Sequence, residues 1–535
     1  MKKKTFWIAM LALLFLQLIL LSYYGNRKAG FHEDELYTYY SSNKTAGLFV
    51  NDRQWTQRDQ LRNDFVVLKG EQFRYSVVKQ MQSWDVHPPI YYYIFHTACS
   101  LFPGVFSKWL GIGVNMAAYI PCFFLLAWIA VQVSYSSFGD KEQARLLSFL
   151  TCMSWGFSAA VISGVMFIRM YQWLTLFVLL CLMLHLRAVR DQDFTFGRFL
   201  LPVGITVFLG FLTQYYYVIF HFFLGAAFLL SLLFRKKWKE LISYVLSCGA
   251  AFLLAILYYP ASLSHIFRGY RGTEAVSEFA DASNTLERIR FFFGLFDDYV
   301  MHNTLCIWIL LILLMTVTLS YLKKKKKRQG NLWNESLILI AVSAFGYFLT
   351  VSKTALLLGE TSNRYELPVY GLFLFLLLYF VWRSLTLLLG DFVKNRQIFC
   401  KALAGALAVI FLLLEGTALT GGRVFFLYEQ ERDTMEFVKE NRKEPVIVFY
   451  NEASSDNIWW LSDELMEYDR FYLASQGDQE PVKEKEFTEG HRILAYVADY
   501  ENKEACLSRL LSSNAGLSSY RVIAEKGLWT LYELE

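Results

Sequence analysis

The sequence predicts an all-α polytopic membrane protein, with about eleven transmembrane helices and a small C-terminal α/β domain that faces water. Three observations predict it. Apolar residues gather in runs of roughly 17–25, the length that crosses a hydrocarbon core of about 30 Å. Basic residues cluster in every second connection between those runs, as the positive-inside rule requires. After about residue 420 the runs shrink to strand length and charged residues become dense. Composition agrees: 55% of residues are hydrophobic and only 19% charged, against about 25% charged in soluble proteins.

The elements follow in chain order. Lys2–Lys4 precede an apolar stretch too long for a signal-peptide core and followed by no small-x-small site, so 5–24 reads as an uncleaved first helix. Further spans fall near 110–134, 145–163, 169–186, 198–214, 216–234, 241–259, 303–322, 336–352, 367–386 and 401–419. With Lys2–Lys4 inside, the short basic connections all fall inside as well: Lys141 and Arg145; Arg187 and Arg190; Arg235–Lys237; Lys323–Arg328; Lys394 and Arg396. Residues 88–103 are apolar but short, begin with Pro88-Pro89 and contain His96, so they read as a helix lying on the outer surface. The outer connections are then about 25–109, 260–302 and 353–366. The net charge of +5 is spent on topology. No basic run lies on a soluble face, which argues against a nucleic-acid partner. Cys122, Cys152, Cys181, Cys248 and Cys306 lie in or beside apolar runs with no metal or disulfide spacing, and read as packing residues.

The sequence divides into a membrane module, 1–420, and an extracytoplasmic domain, 421–535. In the latter, Pro445–Tyr450, Arg470–Ala474 and Arg492–Val497 read as strands, Glu501–Ser512 as a helix, and Arg521–Glu525 with Leu528–Leu534 as a closing pair of strands.

Four groups of residues on the outer side could carry chemistry. Glu33-Asp34-Glu35 follow the first helix, and three adjacent carboxylates repel one another, which raises at least one pKa and suits a proton acceptor. The plainer reading is a solvated charge cluster. Trp84-Asp85-Val86-His87-Pro88-Pro89 is a stiff corner, because proline fixes its own φ and restricts its predecessor. Asp85 and His87 on it could bind a sugar hydroxyl, a phosphate or a metal; Asp85 could also simply cap the following helix. Arg169 and Tyr171 follow Ser163-Gly164 at an outer membrane edge, and Arg364 and Tyr365 sit at the outer end of another helix. Arginine at that depth needs a partner or must snorkel. Its planar fork matches phosphate, so two such arginines near external carboxylates suggest an anionic lipid headgroup. Lys353 and His265 are weaker candidates of the same kind.

Taken together these motifs resemble the GT-C membrane glycosyltransferases. The likeness rests on Asp34-Glu35 after the first helix, Asp85-x-His87-Pro88-Pro89-x-Tyr91-Tyr92 closing a long first outer loop, Arg169-x-Tyr171 opening a later helix, and Arg364-Tyr365-x-x-Pro368, and it covers about residues 1–420. The branch most similar is glycosyltransferase family 39 with its bacterial relatives, the protein O-mannosyltransferases and the aminoarabinose transferases of lipid A. The resemblance implies a polyprenyl-phosphate-linked sugar donor and inverting transfer at the outer face of the cell membrane to a protein, lipid or glycan acceptor. It implies Asp34 as general base, Glu35 as its support or an acceptor contact, Asp85 and His87 in the sugar site, and Arg169 and Arg364 on the donor phosphate, with Tyr171 and Tyr365 beside them. Some relatives use a divalent cation and some do not, so a metal stays open. The sequence lacks the sugar-binding domain that O-mannosyltransferases insert between later helices, and has His87 where aminoarabinose transferases carry a lysine; both departures leave sugar and acceptor open.

The rival class is a polytopic transporter or lipid flippase, which places coupling charges near the bilayer midplane. Here the helix centres are almost free of charge and the suggestive residues sit at the outer rim. A receptor or scaffold ranks last, since an anchor needs far fewer spans. The charge pattern makes a direct prediction. In intact cells, cysteines introduced at Asn51 and Gln476 are labelled from outside by an impermeant maleimide, and one at Gln329 is not; labelling at Gln329 overturns the topology.

Overall fold

The computed structural model describes residues 2–44, 51–324, 332–390, 393–478, 480–500 and 502–535. Most of the basic run expected inside, 325–328, lies outside the described residues. The chain forms two compact units that do not follow chain order: Met1–Tyr24, Gln82–Tyr91 and Ile112–Phe425 make one, and Gly25–Met81, Tyr92–Gly111 and Phe426–Glu535 make the other.

The first unit is helical. Among the described residues nine helices are long and apolar enough to cross a membrane: Lys3–Arg27, Lys108–Phe138, Tyr171–Asp191, Tyr217–Phe234, Trp238–Tyr258, Leu305–Lys324, Glu335–Thr354, Leu367–Leu389 and Arg396–Thr420. A tenth candidate is the pair Lys141–Phe157 and Ala159–Met166, bent by 56°. Phe196–Phe211, where another span was expected, is a shorter apolar helix. Ile90–Leu101 has 12 residues; at 1.5 Å per residue it is about 18 Å long, too short to cross.

Polar groups inside this unit meet one another across helices, as they must where water is absent. Gln17 of the first helix donates through Nε2 to the Cys152 carbonyl at 2.9 Å and accepts from the Tyr119 hydroxyl at 2.7 Å. Gly156 makes the approach possible, because a Cβ there would overlap the Gln17 amide and the Tyr119 hydroxyl. A second network joins two helices: His185 Nδ1 lies 2.8 Å from the Cys181 carbonyl and Nε2 lies 2.9 Å from the Tyr244 hydroxyl. A carbonyl only accepts, so Nδ1 carries the proton and Tyr244 donates to Nε2.

The bend in the paired helices has a local cause. Ser158 is extended (φ −67°, ψ 139°), its hydroxyl donates to the Trp155 carbonyl at 2.9 Å, and its oxygen caps the amide of Val161. The second limb stops at Met166, and Tyr171 starts the next helix, leaving 167–170 as a turn. Gly164 lets that limb press against Leu367, whose side chain a Cβ would overlap.

The second unit is built on a six-stranded sheet: β1 (Gln54–Gln57), β2 (Val446–Tyr450), β3 (Arg470–Ser475), β4 (Ile493–Ala498), β5 (Tyr520–Lys526) and β6 (Trp529–Leu534). Their order is β1-β3-β2-β4-β6-β5, with β2 parallel to β3 and β4 and every other neighbour antiparallel. Parallel strands are covered on both faces and read as continuous apolar runs, and β2 and β4 are buried along their whole length. Val446, Val448, Leu494 and Tyr496 point to one core; Ile447, Phe449, Ile493 and Val497 point to the other. The five C-terminal strands and the helix Lys503–Ser513 match the sequence expectation within a few residues.

The strand β1 was not expected. It comes from the first outer loop and pairs with β3 from Gln54 opposite Leu473 to Gln57 opposite Arg470. Trp55 fixes it, stacking on Phe487 (centroids 5.2 Å, 12°) and lying beneath the Arg470 guanidinium at 4.1 Å. Within the same unit Lys526 is buried among Asp463 (2.9 Å), Glu431 (3.1 Å) and Glu464 (3.1 Å). Burial, aided by Asp463 and Glu464 and opposed by Lys526, pushes the Glu431 carboxyl up to about 7.

Candidate functional site

In the helical unit the corner at Asp85 is held from both sides. The Asp85 amide donates to the Gln82 carbonyl at 3.1 Å, and Ile90, just after Pro88-Pro89, donates to the Leu212 carbonyl at 2.9 Å. His87 then bridges two charged residues: its Nδ1 is 2.9 Å from Asp85 Oδ2 and its Nε2 is 3.1 Å from an Arg169 terminal nitrogen. A guanidinium can only donate, so Nε2 accepts and the ring proton sits on Nδ1, donated to Asp85. The chain therefore reads carboxylate, neutral imidazole, guanidinium. Burial pushes the Asp85 carboxyl up, but the hydrogen bond from His87, the Arg169 charge and the Val86 amide hold the group below the ordinary carboxylate range.

Arg169 is buried at 2% exposure in the turn after the bent helix. Asn115 secures this turn, donating from Nδ2 to the carbonyls of Val165 (3.2 Å) and Phe167 (2.7 Å). Phe167 stacks on Tyr171 (6.0 Å, 16°) and carries the Arg364 guanidinium 5.0 Å above its ring. Arg364 lies 5.1 Å from the Tyr365 ring as well, and Tyr365 meets Tyr171 edge-on at 5.5 Å and Tyr216 at 5.9 Å. Arg364 comes from a 3-10 turn, Gly359–Tyr365, and Pro368 starts the helix that follows. The Tyr347 hydroxyl donates to the Tyr365 carbonyl at 2.8 Å, which pins that turn. Tyr171 and Arg364 thus meet on the Phe167 ring, Tyr365 joins them through both, and Arg169 follows Phe167 by two residues in the same turn.

Three further side chains join this region. The Tyr215 hydroxyl is 2.9 Å from His265 Nδ1, and His265 Nε2 is 3.5 Å from the Ser83 carbonyl, beside Asp85. Burial lowers the His265 pKa, against the raising pull of that carbonyl and of Asp85. Glu366 is fully buried next to Tyr365 and accepts from the Ser352 hydroxyl at 3.2 Å; burial pushes its carboxyl well above the usual range. Lys353 points elsewhere: its ammonium donates to the Asp281 carbonyl and to Asn284 Oδ1. Sequence reasoning named His265 only weakly and missed Asn115, Tyr215 and Glu366. A lone amide within an apolar run was the available signal for Asn115, and Tyr215-Tyr216-Tyr217 at a helix start was the signal for Tyr215.

In the second unit the acidic cluster resolves into different roles. His32 is the N-cap of the helix Glu33–Asn43, with Nδ1 accepting from the Asp34 amide at 3.0 Å. Glu35 Oε2 closes the capping box by accepting from the His32 amide at 2.7 Å, and it also accepts from Lys28 Nζ at 2.8 Å. The side chains of Lys28 and Glu35 are wholly buried, whereas that of Asp34 is 33% exposed and lies 3.7 Å from His32 Nδ1. Glu33 is exposed. Glu35 is thus wholly buried and hydrogen-bonded, while Asp34 is partly exposed beside His32. Among the described residues no group of three His, Cys, Asp or Glu is placed to hold a metal ion.

No protein-family model and no curated protein sequence matches this chain. Solved structures do. The crystal structure of ArnT from Cupriavidus metallidurans bound to undecaprenyl phosphate aligns over 99% of this chain and 98% of its own, with a TM-score of 0.50 and 12% identity. The apo structure of the same protein aligns over 93% and 96%, with a TM-score of 0.47 and 11% identity. The chain therefore has the GT-C fold expected from its motifs, in a multi-pass membrane protein with a small C-terminal sheet.

The Asp85 chain makes a pH prediction. A carboxyl whose folded pKa is depressed stabilises the protein above its unfolded pKa, and that contribution disappears as pH falls through the folded value. Asp85→Asn should therefore lower thermal stability at pH 7 by about 1.5–3 kcal/mol, the worth of a charged hydrogen bond. The gap from wild type should begin to narrow at about pH 4, the unfolded carboxylate range, and keep shrinking as pH falls toward the lower folded value. Thermal unfolding of both proteins from pH 3 to 8 checks it; a gap independent of pH contradicts the assignment.

Proposed function

We propose that this protein is a membrane glycosyltransferase that moves a sugar from a polyprenyl-phosphate-linked donor to an acceptor hydroxyl at the outer face of the cell membrane, with inversion. The observation that carries the reading is the pair of buried arginines: Arg169, in the turn 167–170 where the bent helix ends, and Arg364, whose guanidinium lies over Phe167 of that same turn. Arg169 is linked through His87 to Asp85, and the planar fork of both arginines matches a phosphate, so a lipid-linked phosphate suits the pair in charge, shape and location. The GT-C fold, seen in ArnT with undecaprenyl phosphate bound, supports the same donor class.

The chemistry needs little else. A sugar phosphodiester already carries a good leaving group, so the enzyme must deprotonate the acceptor and stabilise the departing phosphate. In this reading Asp34 takes the acceptor proton and Glu35 supports it. The acceptor oxygen attacks the anomeric carbon from the face opposite the phosphate, giving a single inverting displacement. Arg169 and Arg364 take up the negative charge as the phosphate leaves. Asp85 and His87 hold sugar hydroxyls, and Tyr171 and Tyr365 wall the site with rings. The domain 421–535 lies on the extracytoplasmic side, and the acceptor is a protein, lipid or glycan of the cell envelope. The chemistry is complete without a divalent cation, and activity in chelator decides whether one takes part.

Two sets of variants test this. Asp34→Asn keeps shape but cannot take a proton; transfer should fall by roughly 100- to 10,000-fold with donor binding intact. If Asp34→Asn retains activity while Glu33→Gln loses it, the base is misassigned. A charge-assisted contact to phosphate is worth about 1.5–3 kcal/mol, so Arg169→Ala or Arg364→Ala should lower activity by roughly 10- to 150-fold, at about 1.4 kcal/mol per tenfold. The lysine variants should recover only part of it, since they keep the charge and lose the fork. Donor titration of all four variants is decisive: unchanged affinity and turnover would sink the phosphate site. Translocation of labelled donor without transfer would favour a flippase instead.

A further inference from the structure

The role of the C-terminal sheet is the open question, and the contacts of the Asp34 segment answer it. Lys28 Nζ donates both to Glu35 Oε2, 2.8 Å away, and to the Phe426 carbonyl, 2.5 Å away. It also lies 5.2 Å above the Tyr428 ring. Ala29 donates to the Leu427 carbonyl at 2.7 Å. Gly30 fits against Glu431 and Tyr428 so closely that a Cβ would overlap the Glu431 carboxylate. Further along, Tyr37 and Tyr40 pack on Trp459, with centroids 5.1 and 4.6 Å apart. Apart from Glu35, every one of these partners belongs to 426–459, the chain that leads into and out of β2. The helix that carries Asp34 is therefore mounted on the C-terminal domain at both ends.

Lys28 is the centre of the mount. Its ammonium is buried, and burial lowers its pKa, but Glu35, Glu431 and Asp463 all pull the other way. Glu35, held by Lys28, in turn holds the His32 amide. His32 receives the Asp34 amide. The path from the C-terminal domain to Asp34 thus runs Phe426, Lys28, Glu35, His32, Asp34, each step a hydrogen bond or an adjacent residue.

We propose that Lys28 is a positioning residue and that residues 426–535 act as the mount that fixes Asp34 for proton transfer. The proposal rests on the reading of Asp34 as the general base. Misplacing a reacting group by about 1 Å costs on the order of 100-fold, so Lys28→Met in the full-length protein should lower kcat by about that factor. The affinity for polyprenyl phosphate should not change. Because both act on one step, Lys28→Met and Asp34→Asn should not multiply: the double variant should be about as slow as Asp34→Asn alone. Amide hydrogen exchange across 32–43 should speed up in Lys28→Met, and Trp459→Ala should do the same from the other end of the helix.

The outcomes separate cleanly. Wild-type kcat in Lys28→Met, or kcat losses that multiply with Asp34→Asn, overturn the proposal. So does unchanged exchange in 32–43. If Lys28→Met does not fold, Lys28→Met combined with Glu35→Gln removes both buried charges, and Trp459→Ala carries the same test without touching the ion pair. If Asp34→Asn alone leaves transfer intact, the base assignment has failed, while the exchange data still decide whether Lys28 and Trp459 mount the helix.

Discussion

A buried guanidinium must be answered by its surroundings, and Arg169 dictates much of the helical unit's candidate site. Stranding a buried charge costs several kcal/mol. The chain answers with a neutral histidine that passes the charge to a carboxylate. That arrangement needs His87 near Arg169, which needs the corner that Pro88-Pro89 stiffens. It also needs the turn 167–170 held, which Asn115 does by taking two of its carbonyls. Phe167, fixed by the same amide, becomes the platform for the second arginine. One unfavourable burial thus accounts for five residues contributed by four stretches of the chain.

The second unit handles charge differently. Glu35 and Lys28 satisfy one another out of water, and three carboxylates share Lys526. Buried pairs of this kind add little net stability over well-packed apolar residues, but breaking one is strongly destabilising. They act as registration pins, the first within 28–35 and the second within 431–526. The apolar cores on the two faces of the sheet supply the stability that such pins do not.

Much of the fold was legible because its signals are long or repeated. Membrane helices announce themselves over 20 residues, and the inner strands of a sheet covered on both faces are apolar throughout. Arg169, Tyr171, Arg364 and Tyr365 were named from short motifs at the outer ends of helices, and aromatic contacts link Tyr171, Arg364 and Tyr365. What escaped was short or conditional. β1 reads Gln-Trp-Thr-Gln, four residues with no alternation, and becomes a strand only because β3 offers an edge and Phe487 a surface. The capping box went unread because histidine is a rare N-cap. The resemblance, not the residues themselves, singled out Asp34 in the acidic triplet; the structure separates these neighbours of equal charge by burial, Glu35 wholly buried and Asp34 partly exposed. The bend at Ser158 looks in sequence like an uninterrupted apolar run.

The pairing of β1 with β3 has a consequence for biogenesis. Roughly 400 residues separate Gln54 from Leu473, and at about 5–20 residues per second a ribosome needs some 20–80 s to make them. Throughout that interval the loop carrying β1, Trp55 and Asp34 has emerged without the edge it docks on. Membrane helices are inserted meanwhile, each able to settle with its neighbours. The edge that β3 offers is made only after the last of these helices. A newly made molecule is therefore assembled in the bilayer well before its acidic segment is seated, and any chaperone that guards this protein has its longest task at residues 25–81.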